Sequence, residues 1–570
     1  MAKRSYWQRI QRDRISRRRL IGATGAGAAG LAVVAACGGG GTTTDGTPTA
    51  SSAAEGTPQP GGRWLGASFA PFGTLDPHTS VAGAVAYFPR IYNVLLKQSP
   101  QKPDFIFYDL AESFEQPDET TWNFSIRPGV KIAPNDLGVP ERDMDADDAF
   151  VSFDRILHGG PEQESLPGAG ACDFVCQWFD SHEAPDPQTY IIRTPRPYAW
   201  FLTQVGGLQF WSTIPPRELI EQDPERMLTN AAGAGPYKIT GYSESEFITA
   251  DKNLNYYRTD PDNDNAQLPY LDGFDTKVVP DITAVRAAFL SQQAYSYTPG
   301  NREEADQLLS QNDIWAGDRV PIYSFVSFLM NVKRPPWNDP NIRKAATFAL
   351  NRQEFAEIIY QGDADVNGIV PWPLEAYALS PEELADLQPY DPELSKQLIR
   401  DAGHELPLKI KVMFPSGAPE EIDQHVPIWL KQMEEAGFEV ELDQQDLTVW
   451  ISNMNEVNYD ATLNPNRADE TPEFNLGFNL SNGPVGTGLF SNGLQDTEVD
   501  SAIEKSKEII EPEELVTAIH DIQKLIYDKG PVYLPIVSRF STALYWNFVK
   551  NLRTDLGTAG ELISTRWLDL

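Results

Sequence analysis

Between Leu110 and Leu157 the chain reads LAESFEQPDETTWNFSIRPGVKIAPNDLGVPERDMDADDAFVSFDRIL, and no other stretch restricts the possible folds as much. From Thr121 to Ile126 polar and apolar residues alternate with a period of two, as in a strand with one buried face, and Arg127-Pro128-Gly129 ends the run as a turn. Farther on, Asp145 is placed to cap a helix, with Asp147 and Asp148 in its first turn where the helix dipole favours carboxylates. Phe150, Phe153 and Leu157 fall on one face of that helix, which predicts its inward side. Strand, turn and capped helix in sequence make a folded α+β unit.

The whole chain is 570 residues, too long for one ordinary core, so two or three domains are expected. With 13 Trp, 21 Tyr and 27 Phe there is ample apolar surface to bury. The formal charge is −35, and positive charge concentrates in Met1–Ala36; without the eight Lys and Arg and the single acid of that segment the remainder carries −42. Such a surface repels phosphate backbones and anionic headgroups, which argues against nucleic acid as a partner.

The segment 1–36 reads as an address. Ser16-Arg17-Arg18-Arg19-Leu20-Ile21 resembles a twin-arginine export motif, and Leu20–Ala36 is uncharged and rich in Ala and Gly. Val34-Ala35-Ala36-Cys37 resembles a bacterial lipobox, which implies cleavage before Cys37, lipid on its thiol and anchoring on the outer face of the cytoplasmic membrane. An uncleaved membrane helix is the alternative, disfavoured by the Gly and Ala content. Residues 37–62, mostly Gly, Thr, Ser, Ala and Pro, cannot bury enough to order themselves and read as a tether. The two remaining cysteines, Cys172 and Cys176, most simply form a local disulfide in an oxidising compartment. A metal site there would need two more ligands, and His158 and His182 are distant in sequence.

Several separated words then point the same way. Leu110-Ala111-Glu112-Ser113, Ile126-Arg127-Pro128-Gly129-Val130-Lys131 and Asp145-Ala146-Asp147-Asp148-Ala149-Phe150 resemble the signature region of family 5 extracellular solute-binding proteins, the peptide- and oligosaccharide-capturing components of ABC importers. Leu75-Asp76-Pro77-His78 before Tyr92-Asn93-Val94-Leu95-Leu96 is similar to the family's opening, Gly233-Ala234-Gly235-Pro236-Tyr237 to its GTGPY word, and NDPNIRKAATFALNRQEF from Asn338 to a word of its second half. Asn253–Tyr257 and Leu268–Asp272 continue the likeness. The resemblance covers about residues 62–570 and implies a mixed α/β, two-lobed periplasmic-binding-protein-like fold (type II, cluster C) with an extra subdomain in the first lobe. The implied divisions are 63–321 for lobe I, with the inserted subdomain at about 100–205, then 322–535 for lobe II and 536–570 returning to lobe I.

Local patterns fit that plan. Ile322–Met330 is apolar and aromatic enough for a buried strand, where the family chain crosses between lobes. Asp339 and Pro340 open a helix whose inward stripe is Ile342, Ala345, Ala346, Ala349 and Leu350. Leu408–Phe414, Ile422–Met433 and Phe438–Leu442 read as strand, helix, strand, the unit of a parallel sheet. Helices are expected around Val499–Ile510 and Leu515–Tyr527, followed by a short strand at Val532–Ile536.

The resemblance implies hinge closure over a peptide-like solute and delivery to permease subunits, by a monomer with no cofactor. Its candidate contacts are Asp469, which in peptide binders pairs with the ligand ammonium, with Asn466, Arg467 and Glu470 beside it. Tyr323 and Phe325 on the crossing strand and Ala82 and Gly83 in the small-residue loop Thr79–Ala86 complete the set. Pro465-Asn466-Arg467 stands where peptide binders usually carry a Trp, so sugar hydroxyls suit these side chains as well, and a metal chelate is a further alternative; an Arg467 salt bridge to Asp469 or Glu470 is the structural alternative. Asp76 and His78 otherwise read as a turn, with His78 at the surface. Gly233–Gly235 lacks the following Lys-Ser/Thr of a phosphate loop. Asp260, Asp262 and Asp264 begin like a calcium loop, but Asn265 and Leu271 occupy its sixth and twelfth positions. A secreted hydrolase is the competing class; no G-x-S-x-G, H-E-x-x-H or spaced Cys/His couple is present, and with 81 acids close carboxylate pairs carry no information.

Overall fold

The computed structural model describes residues 56–79, 87–99, 102–158, 178–205, 212–261, 263–416, 421–467, 471–481, 493–550 and 564–569. Residues 1–36, Cys37, Ala82, Gly83, Cys172, Cys176, Asp469 and Glu470, on which several expectations rest, lie outside them.

Arg63–Ser68 pairs in parallel with Gly273–Val278, and Phe247–Lys252 and Tyr237–Ser243 extend this four-stranded sheet antiparallel. On it sits a core of Phe72, Leu75, Phe88, Phe274 and Phe289. The GAGPY glycines are required by close backbone approach: a Cβ on Gly233 would fall 2.2 Å from the Ile91 carbonyl oxygen, and the Gly235 N–H donates to that same oxygen at 2.9 Å.

Between the first and later strands of that sheet is inserted a second four-stranded antiparallel sheet, Ala111–Asp118, Thr121–Ile126, Thr189–Arg193 and Ser181–Asp186 in spatial order. The alternation of Thr121–Ile126 is realised, with Trp122, Phe124 and Ile126 buried. The helix Ala146–His158 covers it, and Asp145 caps it by accepting from the Asp147 N–H at 3.0 Å. Its buried face is Ala149, Ser152, Phe153 and Ile156, while Phe150 and Leu157 are only half buried. The expected face was therefore rotated, because Asp148 and Arg155 take inward places as members of buried ion pairs.

The third sheet has seven strands. Its path runs Ser296–Tyr297, Tyr533–Trp546, Ile314–Met330, Ala461–Arg467, Leu408–Ser416 and Phe438–Asp446, with Ala364–Val366 also on Tyr533–Trp546. Leu408–Ser416 and Phe438–Asp446 are parallel and joined by the helix Glu421–Glu435, as the strand-helix-strand reading expects. Asp339 caps the helix Pro340–Phe348 through the Asn341 N–H at 2.8 Å, and Ile342, Ala345 and Ala346 are fully buried.

Two strands of this sheet are much longer than the sequence suggested. The crossing strand extends over Ile314–Met330 and its antiparallel partner over Tyr533–Trp546. At one end Ile314, Leu544 and Trp546 join the first core; at the other Phe328, Met330, Leu534 and Ile536 join a core built on Trp337, Trp429 and Phe438. Gly317 and Pro321 hid the full length, since both weaken a strand pattern; the pairing absorbs them as register shifts between Ala316 and Arg319 and between Pro321 and Phe325. Two bodies are thus linked by an adjacent strand pair. Among the described residues no helix is long and apolar enough to cross a membrane.

Candidate ligand cleft

Of the candidate residues, Tyr323, Phe325, Asn466 and Arg467 lie on paired strands where the crossing strand enters the second body. Ser324 pairs with Arg467 and Phe325 with Asn466, so the C-terminal end of Ala461–Arg467 lies beside the strand that carries Tyr323. The Phe325 side chain is 2% exposed and its ring lies 6.5 Å from that of Tyr533, which stacks on Phe478 at 4.3 Å.

Flanking that point is a group of polar side chains which sequence reasoning did not single out. Asn464, Thr471, Asn475 and Asn479 are all buried. Among the described residues, the Asn464 Nδ2, the Thr471 hydroxyl, the Asn475 Oδ1 and both polar atoms of Asn479 have no hydrogen-bond partner. Asn475 Nδ2 donates only a long 3.4 Å bond to the Tyr533 hydroxyl. An unsatisfied buried amide costs roughly 1–3 kcal/mol, so this cluster is expensive unless something supplies donors and acceptors. The sequence carried one faint sign: Asn475 and Asn479 recur four apart in an otherwise apolar helical stretch, FNLGFNL.

The inserted subdomain reaches this same region. The Tyr198 hydroxyl donates to Glu473 Oε2 at 2.5 Å, the Ala199 N–H donates to the Lys507 carbonyl at 2.7 Å, and Trp200 meets Tyr377 edge-on at 5.3 Å. Lys507 bridges Glu473 at 3.1 Å and Glu504 at 2.9 Å. Burial pulls its ammonium down, but the two carboxylates outweigh this and hold it above its ordinary value. Arg196 adds bonds to Glu504 and Glu508 at the rim.

A different polar cluster anchors residues 76–78. Arg155 makes a bidentate pair with Asp76, at 2.9 and 2.7 Å, and its Nη1 lies 3.2 Å from His78 Nδ1. His78 Nε2 is 2.8 Å from the Thr213 carbonyl. A carbonyl only accepts and a guanidinium only donates, so the ring carries its proton on Nε2 and is neutral. Burial, with Arg155 beside it, pushes His78 down to about 4. The surface placement expected for His78 is therefore wrong: the residue is 0% exposed, because an arginine 77 positions later and a carbonyl 135 positions later enclose it. Burial alone would raise the Asp76 carboxyl, but Arg155 holds it below its ordinary value.

One of the calcium-like aspartates does other work. Asp260 accepts from the Tyr270 hydroxyl at 2.7 Å, and among the described residues no group of three potential ligands could hold a metal.

Comparison with known proteins agrees with this geometry. The family model described as bacterial extracellular solute-binding proteins, family 5 Middle, matches residues 106–486. The dipeptide-binding protein of Escherichia coli (strain K12) is 25% identical over 311 residues, 52% of this chain and 55% of that protein. Heme-binding protein A of Haemophilus influenzae is 26% identical over 332 residues, 55% of this chain and 57% of the relative. The chain thus aligns with little more than half the length of these two. Among solved structures, the periplasmic binding protein DppA of Helicobacter pylori in complex with the peptide STSA superposes with a TM-score of 0.73 at 20% identity, covering 90% of this chain and 99% of that one. Paired crossing strands, an inserted subdomain facing the second body and a family model spanning both lead to one statement: this chain belongs to the bacterial extracellular solute-binding proteins, family 5.

Proposed function

We infer that the protein captures a peptide-like solute between its two lobes and hands it unchanged to a membrane permease. The observation that carries this reading is the set of buried amide atoms without a hydrogen-bond partner among the described residues: Nδ2 of Asn464 on the strand that ends at Arg467, Oδ1 of Asn475 and both polar atoms of Asn479. Unpaired amides set among aromatic rings suit a ligand with its own N–H and C=O groups, which a peptide backbone supplies. Asp469, in the segment that follows, is the proposed partner of the ligand ammonium, where a charge-assisted bond would be strong. Asn466, Arg467, Glu470, Tyr323, Phe325, Ala82 and Gly83 form the remaining proposed wall. The paired crossing strands support closure as the motion, because a ligand touching both lobes stabilises only the closed arrangement. No bond is broken in this scheme, and catalytic residues are not required.

The exported, lipid-anchored form belongs to the same proposal. Cys37 carries the lipid, residues 37–62 give the folded body its reach, Cys172 and Cys176 are bridged, and the unit works as a monomer. Oligosaccharide is the second reading, favoured by the same amides.

A calorimetric titration of the purified protein against tripeptides, N-acetylated tripeptides and trisaccharides tests the ligand class. Expected is saturable binding of free tripeptides, lost on acetylation, with the peptide recovered intact. Consumption of the peptide would replace this reading with hydrolysis. Release of the protein from membranes by Cys37→Ala tests the anchor.

A further inference from the structure

Most arginines that the first lobe buries wholly or in part face acids. Arg155 meets Asp76, Arg142 meets Asp148 and Glu218, and Arg63 meets Asp251 and Asp275. Arg90 and Arg566 do not. The Nε of each is buried without a hydrogen-bond partner, and no ion pair forms at either among the described residues.

Both guanidinium groups lie over aromatic rings instead. Arg90 is 4.4 Å from the Tyr87 centroid and 5.0 Å from that of Phe274, while Arg566 is 4.7 Å from that of Trp64. Trp64 and Phe274 are cross-strand partners in the parallel pair of the first sheet, so the two cations occupy neighbouring positions on one sheet face. The hydroxyl of Tyr237, whose ring meets Phe274 edge-on at 5.4 Å, is buried there with no hydrogen-bond partner among the described residues. The three groups sense one another: burial raises the Tyr237 phenol while Arg90 and Arg566 pull it back, and burial with Arg90 alongside lowers Arg566 to about 10.

The two cations repel one another, and neither their buried Nε atoms nor the Tyr237 hydroxyl, on which Asp272 also acts, has a hydrogen-bond partner among the described residues; an added anion would relieve this. Ring stacking offsets only part of the desolvation of a guanidinium. A carboxylate placed between them would accept from both guanidinium groups and from the phenol, and the surrounding Trp64, Tyr87 and Phe274 rings favour an organic body over a bare inorganic ion. We propose that this face of the first lobe binds the carboxylate of a small organic acid, held by Arg90 and Arg566 with Tyr237 donating to the same group. The site stands whatever solute the cleft carries.

The test is calorimetric titration of the full-length protein with benzoate, its neutral isostere benzamide, and inorganic phosphate. Expected is saturable one-to-one binding of benzoate, none of benzamide, at least a tenfold loss in Arg90→Gln and Arg566→Gln, and a several-fold loss in Tyr237→Phe. Arg566→Lys, which keeps the charge, should retain more affinity than Arg566→Gln. Thermal unfolding establishes that each variant is folded; should one arginine variant fail, the other and Tyr237→Phe decide. Binding of phosphate without benzoate would overturn the organic-acid assignment. Absence of benzoate binding to the folded wild type, or binding unchanged in the folded variants, would overturn the site.

Discussion

Two buried polar clusters of this protein are opposites. Asp76, His78 and Arg155 bond to one another and to the Thr213 carbonyl, and the group joins residues 76–78 to the helix Ala146–His158. At Asn464, Thr471, Asn475 and Asn479 the side chains are equally buried, yet several of their amide and hydroxyl atoms are unpaired among the described residues. A satisfied network fixes a framework, whereas an unsatisfied one is a surface awaiting a partner. Stability and affinity should therefore respond to mutation in opposite ways at the two places.

The largest effect is expected from Arg155→Met, which strands the Asp76 carboxylate in the core. Chemical denaturation should show a loss of about 3–5 kcal/mol, the usual consequence of breaking a buried pair on one side. A loss below about 1 kcal/mol would mean that the pair is not part of the framework.

Next comes pH. His78 is held near 4 in the fold and returns to an ordinary value near 6.5 on unfolding, so between these values the unfolded chain binds the extra proton. Stability should fall as pH drops from 6.5 to 4, by up to about 3 kcal/mol, and level off for this group below 4. Asp76 contributes only below its unfolded value of 3.8, outside that window. Denaturation midpoints across pH 4–7 for wild type and His78→Gln check this; the variant should show the flatter profile.

At the opposite cluster, Asn479→Leu should leave the ligand-free protein as stable or about 1–2 kcal/mol more stable, because an unpaired buried amide is removed. Tripeptide affinity should meanwhile fall about tenfold, roughly 1.4 kcal/mol. Loss of stability with unchanged affinity would make Asn479 part of the framework and erase the contrast.

The smallest effect is expected at the junction of the lobes. Tyr198→Phe removes one bond to Glu473 and should weaken ligand binding by about 1 kcal/mol with little change in the unfolding midpoint.

The contrast also marks what the sequence could and could not reveal. Local rules sufficed where partners are near in sequence: the alternation of Thr121–Ile126, the caps at Asp145 and Asp339, and the strand-helix-strand unit from Leu408 to Leu442 all appear in the structure. They failed where long-range partners decide. His78 is enclosed by Arg155 and Thr213, and the helix face was misjudged because Asp148 and Arg155 turn inward toward Arg142 and Asp76. The crossing strands were read short because Gly317 and Pro321 interrupt a pattern that cross-strand pairing tolerates. Partnerless amides at Asn475 and Asn479 leave no period of their own, since an Asn that awaits a ligand and one that caps a turn are the same letter.

The central claim is that two bodies joined by the strands Ile314–Met330 and Tyr533–Trp546 shut over a solute. Small-angle X-ray scattering of the protein without and with a saturating tripeptide measures this directly. Expected is a smaller radius of gyration with peptide, reversed when the peptide is removed intact. An unchanged radius under conditions where calorimetry shows the site to be full would contradict it.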